Sequence, residues 1–327
     1  MPDLPSPNKS TTGHTLRPLV IPWPVRVAFR LVSAFSPAAA ANFAKRLFFA
    51  PPLALRRKPE LLASLPPGGE PFSIPGSGLI SGETIQGTSW GTGPSALLVH
   101  GWAGYRAQMG ALVAPLTAAG FRVVAADMPA HGESSGKLSS VIHFADALLA
   151  LAARFGPLRG LVAHSFGAAG VTNALARGLA VERVVFLAPP ARFDSFWNRF
   201  QGALGMSDRV RRRLTADAEA WLGVRFDEAA PVHLAPRMTA PLLILHDAGD
   251  REVAFEEGVE LAGHWPGATL QRTEQLGHMR ILRDPGTVAA AVAFLQAASQ
   301  APQASIDAYS TATKKNFTEL SSFTSMR

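Results

Sequence analysis

From about Ser81 onward, short apolar runs alternate with longer stretches in which apolar residues recur at helical spacing. This alternation predicts an α/β fold with a mostly parallel, doubly wound sheet. Several runs are apolar almost throughout, as expected for strands that helices cover on both faces. The predicted strands are Thr84–Trp90, Ala96–His100, Arg122–Ala126, Gly160–Ala163, Arg183–Leu187, Leu242–His246 and Thr269–Thr273. The predicted helices lie around Gln108–Ala119, Ser139–Phe155, Phe166–Arg177, Glu256–Gly263 and Pro285–Ala298.

One interval, from Pro189 to Pro236, is far longer than a simple crossover between strands needs. We interpret residues 191–236, hereafter the cap segment, as a helical cap inserted above the sheet. The alternative is an ordinary two-helix excursion whose aromatic residues only pack. These aromatic residues occur at roughly helical spacing among many arginines: Phe193, Phe196, Trp197, Phe200, Trp221 and Phe226.

The sheet pattern assigns the α/β core to residues 81–190 and 237–299, and leaves an extension at each end. Residues 1–80 are predicted to be an N-terminal extension, poorly ordered at first and then apolar and aromatic from Pro22 to Pro51. Pro37 splits this apolar stretch into two predicted amphipathic helices. They either pack on the main domain or form a lid or a peripheral membrane contact through residues 22–50. Residues 300–327, rich in Ser, Thr, Ala and Gln, are predicted to be a flexible tail.

Composition narrows the class of protein. Of the 327 residues, 47% are apolar and 17% charged, which is typical of a compact enzyme. The absence of cysteine excludes disulfides, thiolate metal sites and cysteine nucleophiles. The net charge of +7 comes from dispersed arginines without a basic stripe interleaved with aromatic residues, so we expect no nucleic-acid partner.

Other classes of site and location lack their sequence signals. A phosphate loop, a dinucleotide fingerprint and metal-ligand spacing among the nine histidines are all missing, so we expect neither a cofactor nor a metal. The longest uncharged N-terminal stretch, Leu31 to Ala44, is too short to span a bilayer, and the order of features is wrong for a signal peptide. We therefore expect a cytoplasmic protein, with peripheral contact at the inner face of a membrane as the alternative.

The segment Ala163-His164-Ser165-Phe166-Gly167 follows an apolar strand and precedes a helix that opens with small residues. A sharp strand-to-helix turn of this kind exposes a serine hydroxyl beside the next backbone N–H. Small neighbours are needed because strand and helix approach closely there. The pattern favours Ser165 as a nucleophile, and the alternative is a helix N-cap.

A serine nucleophile needs a base, and the base needs a carboxylate to fix its tautomer. His278 lies between the last predicted strand and the last helix, on a loop that reaches back over the sheet edge. Asp250 and Asp247 both follow the strand Leu242–His246 and compete as the acid. Asp127, His131, His164 and His246 are interpreted as structural.

Residues 82–298 resemble the α/β-hydrolase superfamily. The resemblance rests on five segments in the family's order: His100-Gly101-Trp102, Asp127-Met128-Pro129-Ala130-His131-Gly132-Glu133-Ser134, Ala163-His164-Ser165-Phe166-Gly167, Asp247-Ala248-Gly249-Asp250 and Gly277-His278. It implies Ser165 as nucleophile, Asp250 as acid and His278 as base. It also implies an oxyanion hole formed by the backbone N–H groups of Trp102 and Phe166. Ala163 and Ala130 depart from the family's pattern, since glycine is usual at both positions.

The resemblance and the site residues together predict a cofactor-free serine hydrolase that cleaves a small carboxylic ester through an acyl-enzyme. The aromatic cap segment favours a substrate with an apolar acyl or aryl group. The alternatives are a membrane-surface lipase, a thioesterase or an acyltransferase, and, from another class, a non-catalytic binding protein of the same fold.

Overall fold

The computed structural model describes residues 16–52 and 64–297. Within them lies an eight-stranded sheet with the strand order β1-β2-β4-β3-β5-β6-β7-β8. The pairs β1–β2 and β2–β4 are antiparallel, and all other neighbours are parallel. The strands are β1 Glu70–Pro75, β2 Thr84–Trp90, β3 Ser95–Val99, β4 Arg122–Ala126, β5 Leu158–His164, β6 Val181–Leu187, β7 Leu242–Asp247 and β8 Thr269–Thr273.

The helices of the described residues fall into three groups. The N-terminal pair is α1 Trp23–Phe35 and α2 Pro37–Phe49. Those that flank the sheet are α3 Val113–Ala118, α4 Val141–Phe155, α5 Phe166–Ala176, α10 Phe255–His264, the short α11 Gly277–Arg280 and α12 Pro285–Gln296. The cap segment holds α6 Asp194–Leu204, α7 Asp208–Leu222, α8 Phe226–Ala229 and α9 Pro231–Leu234. Short 3-10 helices span Gly78–Ile80, Arg106–Leu112 and Ala235–Arg237.

All seven predicted strands are present, and the mostly parallel, doubly wound sheet is confirmed. Strand β1 was not predicted, and it lies inside the residues that the sequence assigned to an N-terminal extension. Pro71 and Pro75 weaken its strand signal, because proline cannot donate to a ladder. Strand β1 tolerates them because it is an edge strand that pairs with β2 alone. The sheet therefore begins at Glu70, about ten residues before the predicted boundary.

Helices cover both faces of the sheet, as its apolar strands require. In β3, Leu97 and Val99 pack on one face, and Ala96 and Leu98 on the other. Helices α4, α5 and α10 contribute buried residues to the first face, and α3 and α12 to the second. Because helices cover both faces, a ligand site is expected in the loops at the carboxyl ends of the strands, where ligands usually bind in this architecture.

The N-terminal helices pack on the cap segment. Phe29 of α1 and Ala40 and Ala44 of α2 share an apolar cluster with Trp197 and Phe200 of α6. Ser36 ends α1 and caps α2, since its hydroxyl accepts the backbone N–H of Ala39 at 3.2 Å. The start of the extension, residues 1–15, and the predicted tail, 300–327, lie outside the described residues. Among the helices of residues 16–52 and 64–297, none is long and apolar enough to cross a bilayer.

Candidate active site

Ser165 lies at a sharp bend between β5 and α5. Its backbone has φ 51° and ψ −125°, a conformation that residues other than glycine rarely adopt. The bend is held by hydrogen bonds on both sides: the N–H of Ser165 donates to Leu187 at 2.9 Å, and its carbonyl accepts the N–H of Ala168 at 2.9 Å. A Cβ at Gly167 would lie only 2.5 Å from the carbonyl oxygen of His100, so that position requires glycine. This local strain is typical of functional sites.

The imidazole of His278 lies between the hydroxyl of Ser165 and the carboxylate of Asp250. Its Nε2 is 3.0 Å from Oγ of Ser165, and its Nδ1 is 2.7 Å from Oδ2 of Asp250. The three residues follow β5, β7 and β8, which are distant in sequence, and they meet at the carboxyl ends of these parallel strands. Asp250 and His278 are buried, at 2% and 8% exposure. The structure thus brings together the three side chains predicted to carry the chemistry.

The environment of Asp250 favours its charged form. Burial acts to raise the pKa of this carboxyl, but hydrogen bonds from His246 and His278 and from the N–H of Glu252 outweigh it and hold the pKa below its usual range. Its second oxygen, Oδ1, accepts the backbone N–H groups of Glu252 at 2.8 Å and Val253 at 3.1 Å. An ionised, fixed carboxylate is what a histidine base needs to hold its tautomer.

The competing acid, Asp247, forms its hydrogen bonds with residues other than His278. It is fully buried, and its Oδ2 accepts the N–H of Leu276 at 2.9 Å and the hydroxyl of Thr273 at 3.1 Å. Its Oδ1 accepts the N–H of Gly249 at 2.9 Å. Asp247 therefore ties the turn after β7 to the loop that carries His278.

The residues implied to form the oxyanion hole flank Ser165. Phe166 is the first residue of α5, where backbone N–H groups have no partner within the helix. Trp102 follows Gly101 in the loop after β3, and its ring lies edge-on to that of Phe166 with the centroids 5.3 Å apart. Both residues line the same cavity as Ser165 and His278. A Cβ at Gly101 would lie 3.0 Å from that of Ser165, which explains the small residue there.

Asp127 and His131, interpreted as structural, hold the loop after β3 against the loop after β4. Asp127 is buried, forms an ion pair with Arg106 and accepts that residue's backbone N–H at 2.7 Å. The Nε2 of His131 accepts the N–H of Ala103 at 3.1 Å. These contacts fix the backbone next to Trp102. Ala130, where the family usually has glycine, adopts φ 64°, the left-handed conformation that glycine favours.

Two further histidines, also interpreted as structural, touch the candidate site. The Nε2 of His164 is 3.0 Å from the backbone oxygen of His278, and the two rings lie 4.6 Å apart. Burial lowers the pKa of His164 to about 3, so its ring is neutral near pH 7. The Nε2 of His246 lies 3.2 Å from the carbonyl oxygen of Val253 and 3.5 Å from Oδ2 of Asp250. Both rings therefore pack against members of the candidate triad.

A cavity of about 310 Å³ opens in front of Ser165. Eight aromatic side chains contribute to its wall: Phe48 and Phe49 from α2, Trp102 and Phe166 beside Ser165, and Phe193, Phe196, Trp197 and Phe226 from the cap segment. Phe48 stacks on Trp197 with the ring centroids 4.1 Å apart and 14° between the planes. The sequence left open whether α2 packs on the main domain, forms a lid or contacts a membrane, because helical spacing alone does not say what a helix packs against.

Two glutamates at the cavity were also missed. The half-buried carboxylate of Glu257 accepts the backbone N–H groups of Ala191 and Arg192 and the hydroxyl of Ser195 at 3.2 Å, and partial burial raises its pKa. It thus fixes the start of the cap segment to α10. The Oε2 of Glu252 lies 3.9 Å from Nε2 of His278. The sequence signal available was only their position shortly after the Asp250 turn.

Within residues 16–52 and 64–297, no group of three His, Asp or Glu side chains is arranged to hold a metal ion. The polar atoms of the site face one another and the cavity instead.

Comparison with known proteins supports the assignment of the fold. The solved structures it resembles include the esterase RhEst1 from Rhodococcus sp. ECU1013, with a TM-score of 0.55 and 20% identity over 69% of this chain and 98% of that one. A bromoperoxidase from Bacillus anthracis has a TM-score of 0.52 and 19% identity over 66% and 96%. The N-formylmaleamic acid deformylase from Pseudomonas putida has a TM-score of 0.51 and 20% identity over 68% and 100%.

At these identities the structural likeness shows the fold alone. No curated protein sequence matches the chain. The profile of the alpha/beta hydrolase family matches residues 96–291, which is more than half of the 327 residues. The matched stretch contains the bend at Ser165, the turn at Asp250 and the loop at His278. This chain belongs to the alpha/beta hydrolase family.

Proposed function

We propose that this chain is a serine hydrolase that cleaves a carboxylic ester with an apolar acyl or aryl group. Membership of a hydrolase family and a fold shared with esterases support hydrolase activity. The observation that carries the proposal is the line from Ser165 through His278 to Asp250, with contacts of 3.0 and 2.7 Å, at the wall of an apolar cavity.

In the proposed reaction, Oγ of Ser165 attacks the ester carbonyl while Nε2 of His278 takes the hydroxyl proton. Asp250 stabilises the resulting imidazolium. His278 then gives the proton to the leaving alcohol, which leaves an acyl group on Ser165. Water, deprotonated by the same imidazole, releases the acid and restores the free serine.

The backbone N–H groups of Trp102 and Phe166 are proposed to stabilise the oxyanion that forms at each step. Fixed amides in such a position are worth about 3 kcal/mol each in transition-state stabilisation. The backbone near Trp102 is held by the 3-10 helix Arg106–Leu112 and by Asp127, and the backbone of Phe166 is held by α5. No reorganisation is then needed as charge develops.

The cavity wall supports the proposed class of substrate. Eight aromatic side chains line it, so apolar groups gain contact area and lose water there. Two arginines that also line it are engaged by protein groups: Arg192 with Glu260 at 2.6 Å, and Arg199 with the backbone oxygen of Glu252 at 3.2 Å. This favours a neutral ester over an anionic acyl-thioester.

The proposal is tested with a fluorophosphonate probe and a graded series of p-nitrophenyl esters and acyl-CoAs. The wild-type chain is expected to be labelled and to turn over the esters, and the Ser165→Ala variant is expected to do neither. Because related structures also include a bromoperoxidase and a deformylase, the series includes a p-nitroanilide. Absence of labelling in the folded wild type would favour a binding protein, and faster turnover of acyl-CoAs would favour a thioesterase.

A further inference from the structure

The outer face of α1 is apolar, which is the reverse of an ordinary surface helix. Phe29 of α1 is buried against α2 and α6. On the opposite side, the exposed residues are apolar apart from Arg26 and Arg30: Trp23, Pro24, Val27, Ala28, Leu31, Ala34 and Phe35. A helix on a water-facing surface normally turns polar residues outward. We therefore expect the outer face of α1 to bind a partner.

Exposed apolar side chains concentrate at this one place. Trp23 is 73% exposed and Phe35 is 88% exposed. Of nine large apolar side chains that are well exposed in the described residues, six lie between Leu19 and Phe35. The spacing of Trp23, Val27, Leu31 and Phe35, every fourth residue, places them in one stripe along the helix. Scattered exposed apolar residues need no explanation, but a contiguous stripe does.

Charge identifies the partner. Residues 16–52 contain five basic residues and neither aspartate nor glutamate. Arg26 and Arg30 are both exposed, and their positions on the helical wheel lie beside the apolar stripe. At the surface of an anionic bilayer, such arginines reach the headgroups while the apolar side chains enter the acyl boundary.

A second copy of the chain fits this surface less well. In a twofold dimer the same patch faces itself, so Arg26 and Arg30 of each copy would approach those of the other. The segment has no acidic residue to offset that repulsion. We propose that the outer face of α1 binds the surface of an anionic lipid bilayer. Helix α1 lies parallel to that surface, with Trp23, Leu31 and Phe35 inserted.

The test is flotation of the full chain with vesicles of phosphatidylcholine alone or mixed with phosphatidylserine. Binding is expected on the anionic vesicles, weaker on the neutral ones, and weaker at high salt because exposed charges are screened. The Ser165→Ala variant is expected to bind like the wild type, so the result does not depend on the proposed hydrolysis. Failure of the folded wild type to bind phosphatidylserine vesicles would overturn the proposal.

Substitutions test whether vesicle binding depends on the apolar stripe of α1 or on exposed apolar side chains in general. The Leu31→Gln/Phe35→Gln variant is expected to weaken binding by about tenfold or more, because two inserted side chains are lost. Trp23→Gln/Val27→Gln, on the first half of the helix, is expected to weaken binding to a similar degree. The matched control is Leu79→Gln/Val259→Gln, which changes two exposed apolar residues elsewhere. Equal binding by this control and by both α1 variants would overturn the proposal.

The role of the two arginines is tested by the same vesicle flotation. Arg26→Gln and Arg30→Gln are each expected to weaken binding to anionic vesicles roughly fivefold. The control is Arg237→Gln/Arg283→Gln, at exposed positions outside this segment.

Sedimentation equilibrium without lipid tests self-association, and it is expected to show the same mass for the wild type and for Leu31→Gln/Phe35→Gln. A wild-type dimer that this variant disperses would overturn the proposal in favour of self-association.

Discussion

Asp247 ends β7, Asp250 lies three residues later in the turn that follows, and Asp250 alone of the two forms a hydrogen bond with the imidazole of His278. The carboxylate of Asp247 binds the N–H of Leu276 and the hydroxyl of Thr273 instead. One acid therefore orients the ring of His278, and the other holds the backbone of the loop on which His278 is carried. Substitutions at the two positions are expected to fail in different ways.

Asp250→Asn is expected to lower kcat/KM on a p-nitrophenyl ester by about 10³-fold or more, because an amide against Nδ1 permits the wrong tautomer. Asp247→Asn is expected to lower the rate far less. Its main effect is a loss of about 1–3 kcal/mol in the free energy of unfolding, since a buried N–H loses its charged acceptor. Steady-state kinetics and urea unfolding of both variants measure the two effects, and a larger rate loss for Asp247→Asn would move the acid to that residue.

His164 is expected to position His278 without touching the substrate. Its Nε2 donates to the backbone oxygen of His278, and the rings are in contact. His164→Ala removes this donor, so we expect kcat to fall about tenfold with little change in KM, as for a lost buried hydrogen bond that holds a reacting group. His164→Gln, whose amide reaches a similar distance, is expected to restore part of the rate. Equal kcat for the wild type and His164→Ala would contradict this role.

Much of the fold and of the candidate site could be predicted because the signals are local. A buried parallel strand is an apolar run, and the loop after it follows directly in the sequence. Ser165 and Asp250 lie just beyond such runs, and His278 lies in the segment that follows the edge strand β8, so the topology brings all three to the carboxyl ends of the strands. The conformation at Ser165 is likewise indicated by its small neighbours.

What could not be predicted depends on contacts between distant segments. The aromatic residues of α2 are separated from Trp197 by about 150 residues, and nothing in their spacing shows that they line the cavity. Strand β1 was missed because its prolines obscure a strand that depends on pairing with β2. The spacing of the residues alone left Asp247 and Asp250 open as the acid; the resemblance to a known family implied Asp250, which is the residue that contacts His278.

Phe48 is expected to set the preference for acyl length or bulk. Its ring stacks on Trp197 and lines the cavity in front of Ser165. Phe48→Ala is expected to lower kcat/KM about tenfold on hexanoyl or benzoyl esters, and much less on acetyl esters, because the apolar wall contacts only the larger groups. The ratio of the two rates, measured on p-nitrophenyl esters, reports the effect.

The control for this prediction is Phe72→Ala. Phe72 packs against Phe155 at the far edge of the sheet, with ring centroids 4.7 Å apart. Both variants are expected to lose roughly 3 kcal/mol or less of the free energy of unfolding, because each leaves a partly buried gap. Only Phe48→Ala is expected to change the ratio of hexanoyl to acetyl rates, and the same change in Phe72→Ala would show a general effect of lower stability.

Stability is expected to fall in mild acid because of His143. Burial lowers the pKa of this histidine to about 4, and its Nδ1 lies 2.7 Å from the hydroxyl of Ser140. An unfolded histidine titrates near 6.5, so between about pH 6.5 and 4 the unfolded chain binds more protons than the native one. The free energy of unfolding therefore falls as the pH falls through this window, by about 2 kcal/mol at pH 5 for this group.

Urea unfolding at pH 7 and pH 5 tests this dependence with His143→Gln, which removes the titrating ring. The decrease in the free energy of unfolding between the two pH values is expected to be about 2 kcal/mol smaller in His143→Gln than in the wild type. His264→Gln, which removes an exposed histidine at the end of α10, is the matched control. Decreases of the same size in the wild type and both variants would mean that the native protein holds His143 protonated at pH 5, against the effect of its burial.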